Sequence, residues 1–208
     1  MDIEQEILNY GVSRETLQKI KDFVTILQEW NSKINLVSKN SIKDVWVRHV
    51  LDSVQLIKYL PQKTTHLVDI GSGSGFPGIC LAILMQELLP QAKITLVESI
   101  TKKTVYLNDV IQKLGLANAS VMNLRVENGV FKNVSVITAR AVTDLNTLML
   151  YQNKIGDEKT IGLYLKGEKY KEELVCAEKN WHFKLRETPN KYAENGIILQ
   201  ITEVRKKK

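Results

Sequence analysis

Apolar side chains recur at helical spacing from Ser13 to Ile34, through Leu17, Ile20, Phe23 or Val24, Leu27 and Trp30. That period predicts an amphipathic helix, with Ser13 as its N-cap. Val47, Val50, Val54 and Ile57 to Leu60 continue the helical period as far as Pro61. Residues 1–60 therefore predict a helical cap, in which Trp30 and Trp46 serve as core anchors. From residue 61 to 208 the pattern changes. Short apolar runs (HLVDIG, KITLVES, ASVMNL, VSVITAR, TIGLYLKG) alternate with helical stretches such as PGICLAILMQELL and TKKTVYLNDVIQKLG. Strands alternating with helices imply right-handed crossovers and a covered parallel sheet. The runs WHFKLRE and GIILQITEV have no helical pattern between them, which predicts an antiparallel pair at one edge. The fold class expected is α/β: a Rossmann-like, mostly parallel sheet with an antiparallel edge and an N-terminal helical cap.

Composition narrows the setting. The net charge is +6, and Arg205, Lys206, Lys207 and Lys208 form a basic end. Such an end is either a frayed solubilising tail or a phosphate-holding one. No apolar run reaches the roughly 20 residues that a membrane span requires. The first residues, MDIEQEILNYG, are acidic where a secretory signal would be basic. Cys80 and Cys176 match no zinc or disulfide framework and are expected to be buried and inert. These features predict a cytoplasmic protein with no membrane partner and no metal.

The stretch LVDIGSGSGFPGICLAI (residues 67–83) carries the chemistry. Gly73, Gly75 and Gly78 fit the dinucleotide fingerprint GxGxxG. Asp69, Gly71, Gly73 and Gly75 fit DxGxGxG, a pattern of S-adenosylmethionine binding. The reading frame separates the two. A strand ending at Ile70 makes Gly71 the first turn glycine, and a dinucleotide site then wants a small residue where Phe76 stands. The frame favours S-adenosylmethionine, with Asp69, Gly71, Ser72, Gly73 and Gly75 around it. Glu98, at the end of the second strand, suits two ribose hydroxyls, which either cofactor would offer. Val126 and Glu127 could border the adenine.

The fourth strand ends in ITARAV (residues 137–142), where the reacting group of such a sheet lies. No polar-Pro-Pro-aromatic run is present to hold an exocyclic amine, and neither cysteine is placed as a nucleophile. His49, His66 and His182 have no evident partner for base work. The lack of a base suits ring nitrogen 7 of guanine, which has a free lone pair and no proton to lose. Alignment and electrostatics would suffice there. Arg140 could hold a phosphate or guanine oxygen 6, leaving nitrogen 7 open.

The stretches WNSKINLVS (30–38), VRHVLDS (47–53), DIGSGSGFPG (69–78), LRVE (124–127), ITARAV (137–142) and YLKG (164–167) resemble one family. It is the bacterial 16S ribosomal RNA guanine-N(7)-methyltransferases, also called glucose-inhibited division protein B. The resemblance implies a seven-stranded class I methyltransferase sheet and methyl transfer from S-adenosyl-L-methionine to nitrogen 7 of a guanine in small-subunit ribosomal RNA. It implies that Gly71, Phe76, Val126 and Glu127 line the cofactor, and that Arg140 is both catalytic and cofactor-binding. It places Asn35, Arg48, His49 and Asp52 in the motifs that close the site or contact RNA, and Lys166 on RNA phosphate. A monomer acting on ribosomal RNA or the ribosomal subunit is expected. Glu194 and Asn195 depart from the family, which usually has a basic residue before the last strand. Leu124 replaces a small polar residue. Three alternatives stay open on sequence: a methyltransferase of another RNA or a protein, a non-catalytic RNA-binding assembly factor, and an NAD-dependent dehydrogenase.

Overall fold

A computed structural model describes all 208 residues apart from the side chains of residues 39 and 40. The cap comprises α1 (Ile3–Leu8), α2 (Arg14–Asn31), α3 (Lys39–Lys43), a π-helical turn (Trp46–Leu51), α4 (Asp52–Val54) and a 3-10 turn (Gln55–Tyr59). The sheet region follows as β1 (His66–Ile70), α5 (Gly78–Leu88), β2 (Lys93–Glu98), α6 (Thr101–Leu114), β3 (Ala119–Asn123) and β4 (Val136–Arg140). It continues through α7 (Leu145–Ile155), β5 (Ile161–Lys166), α8 (Tyr170–Asn180), β6 (Trp181–Pro189) and β7 (Ile197–Lys206).

The strands form one sheet in the order β3-β2-β1-β4-β5-β7-β6. β1 to β5 pair in parallel, while β7 runs antiparallel to both β5 and β6. The expected antiparallel pair is therefore present, with β7 one place in from the edge. Strand order reverses between β1 and β4, and open α/β sheets bind ligands beyond the carboxyl ends at such a point.

α5 is buried from Gly78 to Met85, as a helix apolar on all sides must be. It lies between the sheet and the cap. Phe23 and Leu27 of α2 share one hydrophobic cluster with Ile79, Ile83 and Leu107 of α5 and α6. α7 and α8 cover the opposite face in a second cluster around Ile137, Leu148 and Tyr164. The N-cap role of Ser13 holds: its Oγ accepts the Thr16 N–H. Glu87 of α5 then accepts from the Ser13 N–H and, at 2.6 Å, from the Thr16 hydroxyl, clamping the cap to the sheet layer. Trp30 anchors as expected, edge-on to Tyr106 and donating to Asp109 at 2.7 Å.

Two expectations are corrected. Cys80 is buried, but Cys176 is exposed, because α8 buries Leu174 and Ala177 and Cys176 falls on its outer side. The basic end is not frayed throughout. Arg205 and Lys206 belong to β7, Arg205 pairs with Glu158 at 3.0 Å, and the Lys207 N–H donates to the Asn180 carbonyl. Among the described residues no helix is long and apolar enough to cross a membrane. Among the described residues no cluster of His, Cys, Asp and Glu could hold a metal ion.

Candidate functional site

β1 ends at Ile70, and the glycine loop turns away at once. Gly71 has φ +66°, and a Cβ there would lie 2.6 Å from a Val142 methyl. Gly75 has φ +90°, and its Cβ would meet Ile79 at 2.9 Å and Phe23 at 3.0 Å. Both positions require glycine for backbone and for space. The first turn glycine is thus Gly71, the frame that separates this loop from a dinucleotide fingerprint. Asp69 sits beneath the loop. Its Oδ1 accepts from the Thr138 hydroxyl at 2.7 Å, and its backbone carbonyl accepts from Ser72 Oγ at 3.0 Å. Burial raises its pKa to about 6, against the lowering effect of the Thr138 hydrogen bond, and its Oδ2 is buried without a donor. Asp69 therefore braces the loop from below and borders neither of the two chambers above it.

Those chambers flank the loop. One, of about 220 Å³, lies between Gly71, Gly73, Glu98, Ile100, Val126 and Glu127. The other, of about 260 Å³, is bordered by Ser72, Ser74, Phe76, His49, Lys103 and Arg140. Glu98 is fixed toward the loop: its Oε2 accepts the Gly73 N–H at 3.0 Å and its Oε1 the Ile100 N–H at 2.8 Å. Ala141, with φ +52°, borders both chambers and also a crevice of about 920 Å³ beyond β4. Arg140 borders the second chamber and the crevice.

Arg140 is held from the cap. Its Nη2 donates to the Arg48 carbonyl at 2.8 Å and lies 2.6 Å from His49 Nδ1. Its Nε lies 3.3 Å from Asp52 Oδ2. All three partners come from the π-helical turn and the residue after it, a local widening common at functional sites. A guanidinium only donates, so His49 Nδ1 accepts and the ring proton sits on Nε2. Burial, then the charges of Arg140 and Arg48, push the His49 pKa down to about 4, which keeps the ring neutral. The ring stacks on Phe76 with centroids 5.1 Å apart. His49 Nε2 and Arg140 Nη1 are buried donors without an acceptor in the protein. Buried donors normally have partners, so this pair marks a place for a ligand or water.

Asp52 connects Arg140 to the segment between β6 and β7. Burial pushes its carboxyl up, while Arg140, Asn190 and Gln55 pull it down. Asp52 Oδ1 accepts from Asn190 Nδ2 and from Gln55 Nε2. Asn190 Oδ1 in turn accepts from Gln55 Nε2 at 2.8 Å and from the Tyr192 N–H at 2.9 Å.

The structure gathers Gly71, Ser72, Gly73, Phe76, Glu98, Val126, Glu127 and Arg140 around the chambers, with Gly75 shaping the turn. Arg48 and Lys166 border the crevice. Lys166 is only 10% exposed at its side chain, pairs with Glu173 at 2.6 Å and donates to the Thr143 carbonyl, so its charge is already engaged. Asn35 is exposed and borders a separate hollow with Asn31 and Ser38. Sequence reasoning missed Asn190, Gln55 and Lys103. Lys103 borders both chambers, and its place in the first turns of α6, just after Glu98, was a usable signal. Nothing local marks Asn190 or Gln55.

A family model described as rRNA small subunit methyltransferase G (GidB) matches residues 16–195. A ribosomal RNA small subunit methyltransferase G of Ruegeria sp. (strain TM1040) is 39% identical over 197 residues, covering 95% of each chain. That of Bartonella henselae is 41% identical over 205 residues, covering 97% of this chain and 94% of its own. Among solved structures, a SAM-dependent methyltransferase from Aquifex aeolicus aligns with TM-score 0.59 at 14% identity, covering 76% of this chain and 93% of its own. TYW2 of M. jannaschii, solved with AdoMet, aligns with TM-score 0.56 at 14% identity, covering 85% and 80%. At those identities the structural likeness speaks for the class I methyltransferase fold.

Proposed function

The chain belongs to the rRNA small subunit methyltransferase G (GidB) family, and from that premise we propose that it methylates ring nitrogen 7 of a guanine in 16S ribosomal RNA. The donor is S-adenosyl-L-methionine, which supplies a methyl carbon activated by the positive sulfur. The observation that carries the reading is Arg140, which stands at the border between a loop-side chamber and an open crevice.

The residues present fit that cofactor. The orphaned donors of Arg140 and His49 and the cramped turn at Gly71 describe a site built to be filled. Glu98 offers its remaining lone pairs to ribose hydroxyls, and Val126 and Glu127 border the adenine chamber. Gly71, Ser72, Gly73 and Phe76 line the amino-acid end, with Asp69 and Gly75 shaping the loop. Arg140 is the residue placed to hold guanine oxygen 6 or a phosphate. The two titratable groups in contact with Arg140, His49 Nδ1 and Asp52, are engaged with it. Attack by an unprotonated nitrogen needs no base. Residues 1–60 act as the cap that fixes Arg140, and residues 61–208 as the methyltransferase unit. Arg48 and Asn35 face the RNA. Lys166 acts through its ion pair with Glu173 in shaping the crevice. The protein works as a monomer in the cytoplasm.

Tritiated methyl transfer to small-subunit RNA tests this reading. Label recovered as 7-methylguanosine supports it. Label on another atom, or binding to RNA without transfer, rejects the assigned chemistry.

A further inference from the structure

The link between the β6–β7 segment and the arginine is not required by the fold. Asn190 follows the last residue of β6, and its backbone N–H already bonds to the Gly196 carbonyl, which closes the turn. Its side chain nonetheless points into the cap. There it uses donor and acceptor with opposite polarity: Nδ2 gives to Asp52, while Oδ1 receives from Gln55 Nε2 and the Tyr192 N–H. The far side of the same segment is fastened to α1, where Glu6 Oε2 accepts from Lys191 Nζ at 2.6 Å and from the Tyr192 hydroxyl at 2.8 Å. Asp52 is 5% exposed, so its carboxylate depends on these protein donors to remain a partner for Arg140.

We propose that Asn190 is a positioning residue that sets the orientation of the Arg140 guanidinium by holding the Asp52 carboxylate. The inference rests on the methyl-transfer reading for its kinetic consequence, but the geometry it asserts stands apart from turnover. Asp52 accepts on one oxygen from Asn190 and Gln55 and faces Arg140 Nε with the other. Loss of the Asn190 donor leaves Asp52 Oδ1 with only the longer 3.2 Å bond from Gln55, so the carboxylate turns more easily, and the guanidinium with it. A small misplacement of a reacting or holding group costs roughly tenfold to a hundredfold in rate.

Two variants test this in the full-length protein. Asn190→Ala removes the amide. Asn190→Asp keeps both acceptor bonds, so the turn is preserved, and sets a second carboxylate against Asp52. The titratable groups around that pair are Arg140, Arg48 and His49 from β4 and the π-helical turn, Lys166, Glu168, Glu173 and Glu194 along the same crevice, and Glu6, Tyr10, Lys191 and Tyr192 at the outer end of the segment. His49 titrates near pH 4, below the working range. The first readout needs no activity: the Arg140 side-chain Nε–H signal in a nitrogen-15 NMR spectrum, assigned by its loss in Arg140→Met. In wild type it is shielded by the Asp52 carboxylate 3.3 Å away and exchanges slowly with solvent; in Asn190→Ala it exchanges at least about tenfold faster, as that ion pair loosens. The second is single-turnover transfer. Asn190→Ala lowers the rate about tenfold with S-adenosylhomocysteine binding unchanged. Asn190→Asp is slow where both carboxylates are ionised and recovers as the pH falls and one proton shared by the two restores a donor to Asp52. An Nε–H signal identical in wild type and Asn190→Ala overturns the inference even if the protein methylates nothing. An active wild type matched by Asn190→Ala in rate, or by Asn190→Asp in pH profile, overturns it while leaving the proposed function in place.

Discussion

Asp69 to Gly78 forms the loop half of the cleft from one unbroken stretch, whereas the arginine half is gathered from three distant ones. Arg48, His49 and Asp52 come from the cap, Arg140 from the end of β4 and Asn190 from the turn before β7, which is 138 residues from Asp52. The loop half is held by backbone conformation: left-handed glycines, internal hydrogen bonds and the Asp69 brace. The arginine half is held by side chains that satisfy one another in a buried setting. A site built from backbone is fixed by local sequence. One built from a polar network is fixed by the whole fold, and it loses its geometry when any member is removed.

The sharpest way to break this comparison is at the residue where the halves meet. Arg140→Met should lower single-turnover methyl transfer about 10²- to 10³-fold, the usual effect of losing one preorganised donor at a reacting centre. Arg140→Lys should recover little, because a single ammonium cannot reach the Arg48 carbonyl, His49 and Asp52 together. Near wild-type rates in Arg140→Lys would mean that charge alone matters and the network does not.

A smaller effect probes the loop half. Gly71→Ala forces a side chain into the left-handed region, at about 1–2 kcal/mol, and against Val142 at 2.6 Å. S-adenosylhomocysteine binding by calorimetry should weaken at least about tenfold, in keeping with that strain. Adding Val142→Ala should relieve the collision and leave the backbone cost. Full recovery in the double variant would show that space, not conformation, requires the glycine.

The local half was legible in the sequence because each requirement has a residue that announces it. The strand end before Gly71, the placement of Glu98 and the Ser13 cap are matters of neighbouring residues, and the structure has them as expected. Arg140 was legible through its place at the fourth strand's end. The partners that hold it were only partly so. His49 and Asp52 lie in a motif that drew attention to them, yet His49 had no evident partner until the fold brought it to Arg140. Gln55 and Asn190 are ordinary amides in sequence, and only the β7 reversal brings Asn190 over the cap. Lys166 read as a free cation because nothing local shows that Glu173, seven residues on, turns back onto it. Cys176 read as buried because its helix's inner face was not resolved by so weak an apolar pattern.

The smallest expected effect is a titration. The His49 ring should titrate near pH 4 in NMR, against an ordinary value near 6.5. Arg140→Met should raise it only in part, because burial is the larger cause. Between those two pH values the unfolded chain binds the proton that the folded chain refuses. His49 therefore lets stability rise with pH through that window and contributes no slope above it. Asp69, pushed up to about 6 from 3.8, acts in the opposite sense between those values. The difference in denaturant midpoint between wild type and His49→Gln, followed from pH 7 to 4.5, isolates the imidazole. A histidine that titrates normally would mean the ring is solvated and does not accept from Arg140.

The central claim is spatial: one ligand spans both loop-side chambers and presents its sulfur to the crevice at Arg140. A crystal structure with S-adenosylhomocysteine tests it most directly. The account predicts adenine beside Val126, ribose on Glu98 and sulfur at the Gly71–Ala141 border facing Arg140. Density for the ligand outside these chambers, or with its sulfur turned away from Arg140, would contradict it.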